Sequence, residues 1–382
     1  MNPKPPLNNF GSYQGAIRQI RASRPMSLTW PKCQSLGHPK WKKRARKAVF
    51  EAFQYEPGPL DLKPRVIQKI ETEDFIAEKV LYHTAPWFEV PAYFLLPRHG
   101  RAPYPAVYLM HEWGGNPLFG KERVIRFGNE PPILLEHQRV HHSGRGLANE
   151  FTKRGYAVLV ADAFYFGERS PRGFADIPAK INAYETPMRD AVHLHQLIAQ
   201  SVYSAVRYLA WAGTTWAGLF TWDDIRGIDY LVSRPEVDAK RIACTGLSVG
   251  AWRTNLLAAL DDRIKASASV MWMTTGDAQH DYNVQGAVGA FCILPSLWRQ
   301  LDVPDFSVMA APNATMVVSG QDDLLFPLKG QSDAAKHIAA GFRWAGCPKQ
   351  CRLFNPKKPH VYDADIQEAV FEWFGLHLKP GG

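Results

Sequence analysis

Short apolar runs alternate with amphipathic stretches along most of the chain. Most of these runs are rich in β-branched or aromatic residues and have the length of strands buried on both faces; they lie at 106–110, 157–161, 242–246, 266–271, 315–318 and 351–354. The stretches between them have helical patterns, near 146–154, 188–212, 222–233, 248–260, 333–341 and 366–378. This alternation predicts an α/β fold with a mostly parallel central sheet and helices on both faces.

Two other kinds of segment modify this simple count. Strand patterns at 66–71, 75–84 and 88–97 are separated by short turns, which predicts an antiparallel N-terminal edge of the sheet. Segments 128–145 and 272–312 are long and rich in His, Pro and aromatic residues. Both follow predicted strands, where catalytic loops and lids emerge, so they are candidate lid segments.

Composition excludes several classes of protein. With 46% hydrophobic and 21% charged residues, the 382-residue chain has ordinary globular usage, unlike collagen, a coiled coil or a disordered protein. No run of about 18 apolar residues is present, so no membrane-spanning helix is expected. The first ten residues lack the apolar segment of a signal peptide, so we expect a cytoplasmic protein, or a secreted one if a leader was removed.

The formal net charge of +9 is concentrated at the N-terminus. The first 50 residues contain 11 Lys or Arg and no Asp or Glu, whereas the remainder has 34 basic and 36 acidic residues. Apolar residues here recur at helical spacing, at Trp41, Ala45, Val49, Ala52 and Phe53. They predict an amphipathic helix, and packing on the main domain is favoured over binding of an anionic partner. The predicted division is a basic arm at 1–60 and a main domain at 61–382, with no nucleic-acid partner.

The segment Gly246-Leu247-Ser248-Val249-Gly250 matches G-x-S-x-G between a predicted strand and a predicted helix. In that context the glycines allow a tight turn that exposes the Ser248 hydroxyl above the sheet. The main-chain N–H of Val249, at the start of the helix, can then stabilise an oxyanion. Ser248 is therefore the candidate nucleophile.

A serine nucleophile needs a base, and the base needs an acid to orient it. His360 lies before the last helix and is the candidate base. Asp322 and Asp323 follow a strand near 315–318, and Asp323 is favoured as the acid by its spacing from Gly320. The order Ser, Asp, His is the one expected of α/β-hydrolases.

A second oxyanion donor is expected in the loop after the strand at 106–110. That loop contains His111-Glu112-Trp113-Gly114-Gly115, and the N–H of Trp113 is the candidate. Glu112 either contacts Ser248 or His360 and tunes the site, or forms a salt bridge nearby.

Other residues near the predicted strand ends are candidates for a substrate pocket. Tyr165 and Trp272 follow strands, and Trp252 and Arg253 follow Ser248. Core packing is the alternative for Trp252, and a structural ion pair is the alternative for Arg253.

A second group of candidates lies in segment 128–145. His137, His141 and His142, beside Glu136, imitate a metal site. No complete ligand motif is present, so surface or loop histidines are favoured and no metal is predicted.

With these motifs in place, the stretch from about Phe75 to Leu378 resembles the α/β-hydrolase superfamily, in particular its dienelactone-hydrolase and acetylxylan-esterase-like branch. The resemblance implies ester hydrolysis through an acyl-serine intermediate on a small ester, such as an acetylated sugar or an aryl ester, without metal or organic cofactor. Ser248 differs from the cysteine nucleophile of dienelactone hydrolases proper. The motifs that carry the resemblance are 90–97, 111–115, 154–158, 233–238, 246–250, 258–264 and the pair Asp323 and His360.

Two alternatives remain open from the sequence. A serine peptidase of the prolyl-oligopeptidase type shares the serine turn and the residue order, although the chain is too short to add a full β-propeller. A non-catalytic protein could use the same fold to bind a ligand, although the Ser, Asp and His set argues against it. The sequence is also compatible with a homo-oligomer, whichever function applies.

Overall fold

A computed structural model describes residues 11–58, 60–174, 176–282, 284 and 288–378. Within these residues nine strands form one sheet, in the order β1-β2-β3-β5-β4-β6-β7-β8-β9. The strands are β1 (Arg65–Glu71), β2 (Phe75–Ala85), β3 (Phe88–Pro97), β4 (Tyr104–Met110), β5 (Ala157–Ala161), β6 (Val237–Leu247), β7 (Ile264–Val270), β8 (Ala314–Val318) and β9 (Cys351–Phe354).

The direction of the strands divides the sheet into two parts. Neighbouring strands from β1 through β2 and β3 to β5 are antiparallel. Neighbouring strands from β5 through β4, β6, β7 and β8 to β9 are parallel. The predicted fold class, with its antiparallel N-terminal edge, is therefore confirmed.

Helices cover both faces of this sheet. Strand β4 shows the reason, because its two faces are both apolar and both buried. Val107 and Leu109 belong to one buried apolar cluster, and Ala106 and Tyr108 belong to another on the opposite face. The helices are α1 (Gln14–Ala22), α2 (His38–Phe53), α3 (Pro132–His142), α4 (Leu147–Lys153), α5 (Met188–Trp211), α6 (Trp216–Ser233), α7 (Val249–Leu260), α8 (Gly276–Tyr282), α9 (Val303–Ala310), α10 (Leu328–Trp344) and α11 (Ala364–His377). None of the helices within the described ranges combines the length and apolar character needed to cross a membrane.

The basic N-terminal segment packs on the main body through α2. All five apolar positions predicted for this helix are buried, and they share one cluster with residues of α6 and α9. Lys42 and Arg46 pair with Asp262 at 2.8 and 2.7 Å. The helix is therefore amphipathic and packed, as expected. The division at residue 60 stays a prediction, and residues 1–10 lie outside the described part of the chain.

Both candidate lid segments contain helices that the sequence did not predict. Segment 128–145 contains α3, which begins at a proline, and segment 272–312 contains α8 and α9. Reciprocal hydrogen bonds between Asp302 and Asp305 cap α9. A proline again occupies the first turn, where a main-chain N–H would have no partner within the helix. Residues 283 and 285–287 of the second segment lie outside the described ranges, and a lid function for either segment stays a prediction.

Candidate active site

Ser248 occupies a strained turn between β6 and α7. Its φ is 56° and its ψ is −117°, a conformation that non-glycine residues rarely adopt. A Cβ atom at Gly246 or Gly250 would collide with the main-chain oxygen of Met110, so both glycines are sterically required. The turn is therefore the sharp strand-to-helix turn that G-x-S-x-G predicts, with Ser248 at its apex.

His360 and Asp323 form a direct pair. His360 Nδ1 lies 2.7 Å from Asp323 Oδ2, and the N–H of Leu325 donates to Asp323 Oδ1 at 2.9 Å. Asp323 is buried, so both of its oxygens are satisfied inside the protein, whereas the neighbouring Asp322 is exposed. The contact with Asp323 holds the imidazole in one orientation and favours the tautomer with a proton on Nδ1.

Parallel strands bring these groups to one edge of the sheet. Ser248 follows β6, Asp323 follows β8 and His360 follows β9, all at carboxyl ends. Ser248 and His360 line one cavity of about 390 Å³, and its other lining residues are glycine, apolar or aromatic. They are Trp113, Gly114, Ala199, Val202, Tyr203, Val249, Trp272, Gly289, Ala290, Phe291, Leu325 and Phe326.

Arg123, which sequence reasoning missed, organises the loop after β4. Its guanidinium is fully buried and donates to the main-chain oxygens of Glu112, Trp113 and Asn116. Burial lowers the pKa of Arg123 to about 10, although nearby carboxylates oppose that shift. The sequence showed only that an arginine follows the loop near the site. It gave no sign that this arginine binds three main-chain oxygens.

These hydrogen bonds determine which way the loop's amides point. Because a trans peptide places N–H and C=O on opposite sides, the N–H of Trp113 points away from Arg123 when the Glu112 oxygen points toward it. Gly114 and Gly115 have φ values of 51° and 66°, and a Cβ at Gly114 would collide with the His137 ring. The absence of a side chain at Gly114 therefore lets the loop pack closely against α3.

The remaining pocket candidates lie in different places. Trp272 lines the cavity. Trp252 is fully buried, with its ring centroid 4.7 Å from that of Trp272, so it supports the cavity wall from behind. Arg253 pairs with Asp224 at 2.5 Å in the core, which is the structural ion pair left open by the sequence.

Tyr165 and Glu112 are also absent from the cavity lining. The Tyr165 hydroxyl lies 2.6 Å from Ser201 Oγ, and its ring packs on Trp216. Glu112 is buried against His137 and His142, which is the nearby salt-bridge alternative and not a contact with Ser248 or His360. Both side chains therefore contact neighbouring protein groups and not the cavity.

The interpretation of the three histidines as surface or loop residues was wrong for two of them. His137 and His142 are buried in α3, whereas Glu136, which the sequence placed beside them, is exposed and pairs with Arg139. Their carboxylate partner is Glu112, distant in sequence, so spacing within segment 128–145 did not reveal it.

Comparison with known proteins identifies the family of the chain. Residues 8–348 match the family described as the Abhydrolase family. The chain belongs to this family. It is 24% identical over 332 residues to "Putative hydrolase YtaP" of Bacillus subtilis (strain 168), covering 85% of this chain and 96% of that one.

Two solved structures that are named as esterases share the fold. A "putative acetyl xylan esterase" from Bacteroides fragilis NCTC 9343 superimposes with a TM-score of 0.65 at 17% identity, covering 91% of this chain and 83% of the other. A glucuronoyl esterase from Solibacter usitatus gives a TM-score of 0.62 at 14% identity, covering 90% and 94%. The chain is thus an α/β-hydrolase whose fold is that of acetylxylan-esterase-like proteins, and the comparisons support a hydrolase.

Proposed function

We propose that this protein is a serine carboxylic ester hydrolase that works through an acyl-serine intermediate. The proposal rests on one observation. Ser248, at the apex of its turn, lines the same cavity as His360, and Nδ1 of His360 contacts Asp323. A hydroxyl, an imidazole and a buried carboxylate in this relation form a nucleophile, a base and an orienting acid.

In the first half of the reaction, His360 Nε2 accepts the hydroxyl proton of Ser248 while Oγ attacks the ester carbonyl carbon. The tetrahedral intermediate collapses when His360 donates that proton to the leaving alcohol oxygen, and the C–O bond to the alcohol breaks. In the second half, His360 takes a proton from water, and the resulting hydroxide attacks the acyl-serine. Return of the proton to Ser248 releases the carboxylic acid.

The N–H groups of Trp113 and Val249 are proposed to bind the oxyanion. Val249 begins α7, where main-chain N–H groups are free of helical partners. The peptide that carries the Trp113 N–H is oriented by Arg123 through its carbonyl oxygen. Donors fixed before the reaction stabilise the negative charge without reorganisation. One such donor lowers the activation free energy by on the order of 3 kcal/mol.

The lining of the cavity supports a small, neutral ester. His360 is the only titratable group of the Asp, Glu, Lys, Arg or His type among the lining residues described above, so a charged acyl group would find no counter-ion there. Aromatic walls at Trp113, Trp272 and Phe326 suit an aryl ring or the apolar face of a sugar. An acetylated sugar or an aryl ester satisfies both conditions.

The test is hydrolysis of p-nitrophenyl acetate by the wild type and by Ser248→Ala, with labelling by a fluorophosphonate probe. We expect ester turnover and labelling in the wild type and neither in Ser248→Ala. Turnover that survives Ser248→Ala would refute the mechanism. Labelling with cleavage of an aminoacyl-nitroanilide and not of the ester would indicate a peptidase, and the absence of all activities would indicate a binding protein.

A further inference from the structure

Three potential metal-ligating side chains meet behind the loop that follows β4. Glu112 lies on this loop, and His137 and His142 lie on α3. Nε2 of both histidines faces Glu112 Oε1, with His142 at 3.3 Å, and one ligand atom from each residue lies within 4.8 Å of the others. All three side chains are buried, with Glu112 only 2% exposed. We call these residues the Glu-His-His cluster.

The hydrogen bonds of this carboxylate are distributed unevenly. Both imidazoles converge on Oε1, while Glu112 Oε2 has no hydrogen-bond partner among the described residues. A buried carboxylate oxygen without a donor is costly, and native proteins rarely leave one. A positive charge or a hydrogen-bond donor at that oxygen would remove this cost.

A second buried carboxylate on a neighbouring loop shows the usual arrangement. Asp162 Oδ1 accepts the N–H of Lys121, and Oδ2 accepts Lys121 Nζ and the N–H of Glu168. Here a lysine of this chain supplies the cation, and both oxygens are occupied. The Glu-His-His cluster has the carboxylate without an equivalent lysine or arginine contact, since Arg123 donates to the Glu112 main-chain oxygen.

We propose that Glu112, His137 and His142 bind a divalent transition-metal ion of the zinc type. Imidazole nitrogen and carboxylate oxygen are ligands that Zn²⁺ prefers, at about 2.0–2.2 Å, and three protein ligands leave a fourth position for water. The ion would engage Glu112 oxygen and the lone pairs of both Nε2 atoms, with each imidazole proton on Nδ1. This site is additional to ester hydrolysis, for which no metal is required.

The position of the cluster assigns the ion a structural role. Glu112 immediately precedes Trp113 but is absent from the cavity lining, so the ion does not reach the substrate. It would join the loop after β4 to α3. The same end of α3 contacts the segment that carries His360, because the N–H of Tyr362 donates to the main-chain oxygen of His141 at 2.8 Å. A bound ion would therefore hold together the loops on both sides of the cavity.

The direct test is the metal content of the tag-free, full-length protein by plasma mass spectrometry. We expect about one zinc-type ion per chain. Dialysis against a chelator should remove it and lower Tm by several degrees, and Zn²⁺ alone should restore Tm, because an ion that binds only the folded state stabilises it. Co²⁺ added to the stripped protein should give visible absorption bands. This readout is independent of esterase activity.

Variants assign the ligands. Glu112→Gln and His142→Gln should lose the ion and the Zn²⁺-dependent Tm shift, whereas His141→Gln, a neighbour on α3 outside the three ligands, should keep both. If Glu112→Gln does not fold, the wild-type metal content and Co²⁺ spectrum still decide. A wild type that is metal-free as purified, and whose Tm and absorption do not respond to Zn²⁺, Co²⁺ or Ni²⁺, would overturn the proposal. So would equal loss in His141→Gln.

Discussion

Two assemblies of carboxylate and histidine lie close to the same cavity but differ in geometry. In the first, Asp323 contacts Nδ1 of His360, whose side chain is 21% exposed and lines the cavity. In the second, Glu112 contacts Nε2 of both His137 and His142, and none of these three residues lines the cavity. The same chemical groups thus occur once at a cavity wall and once buried in protein.

The difference shows that the orientation of the ring decides what the histidine can do. With Nδ1 facing the carboxylate, Nε2 is the ring nitrogen that His360 can offer to the cavity it lines with Ser248. With Nε2 facing inward, His142 has only Nδ1 left, and that atom is buried without a partner among the described residues. The first arrangement suits proton transfer to a substrate, and the second suits a structural or metal-binding role.

The largest expected effect is that of Ser248→Ala on the first assembly. It removes the group that His360 is proposed to deprotonate, so kcat with p-nitrophenyl acetate should fall by roughly 10⁴-fold or more. The measurement is steady-state kinetics together with Tm, which should stay close to that of the wild type. A variant with near wild-type kcat would show that the first assembly does not act on this serine.

Asp323→Asn should have the next largest effect. The amide cannot hold the imidazole tautomer as the carboxylate does, so kcat should fall by roughly 10³- to 10⁴-fold. Asp322→Asn is the matched control and should stay within about twofold, because its side chain is exposed. The opposite result in steady-state assays would transfer the acid role to Asp322.

Arg123→Lys tests the loop after β4, which carries Glu112 of the second assembly and Trp113 of the cavity lining. A lysine ammonium cannot reproduce the planar fork that meets three carbonyl oxygens, so the Trp113 N–H should lose its orientation and kcat should fall by roughly 10²-fold. KM should change little. Arg126→Lys is the control, because the guanidinium of Arg126 donates to the main-chain oxygen of Gly144 at the surface. A rise in KM with unchanged kcat would place Arg123 in substrate binding.

The smallest expected effect concerns His195 on α5, a histidine for which no carboxylate contact is described. Burial, assisted by the charges of Arg123 and His137, lowers its pKa to about 4. Since the unfolded value is about 6.5, the folded state binds fewer protons between pH 6.5 and 4, and stability falls as pH falls through that window.

His195→Gln should therefore lose less Tm than the wild type between pH 7 and 5, by a degree or two. His193→Gln, an exposed neighbour on α5, should follow the wild type. Equal slopes for the wild type and His195→Gln would mean that this histidine takes up a proton in the folded protein as readily as in the unfolded one.

Local pattern predicted most of the sheet and the serine turn because their causes are local. The strand β6 and the two glycines around Ser248 lie within one short stretch, so neighbouring residues are enough to predict the turn. The steric exclusion of a Cβ atom at those glycines comes from Met110 on the adjacent strand β4 and was visible only in the folded protein. Helix ends were less accurate: α6 begins at Trp216 and not near 222, since the Thr215 side chain caps it. A cap of this kind is a weak signal beside the apolar pattern that follows.

The amino-acid sequence by itself determined the order of the strands and of the helices between them outside segments 128–145 and 272–312, the serine turn and the order Ser248, Asp323, His360, because each depends on periodicity or on a few neighbouring residues. Only the tertiary structure decided which aromatic side chain faces the cavity, which arginine orients the loop after β4, and that Glu112 meets His137 and His142. Those outcomes depend on burial and on partners distant in the chain, and the parallel sheet brings such partners together only when it folds.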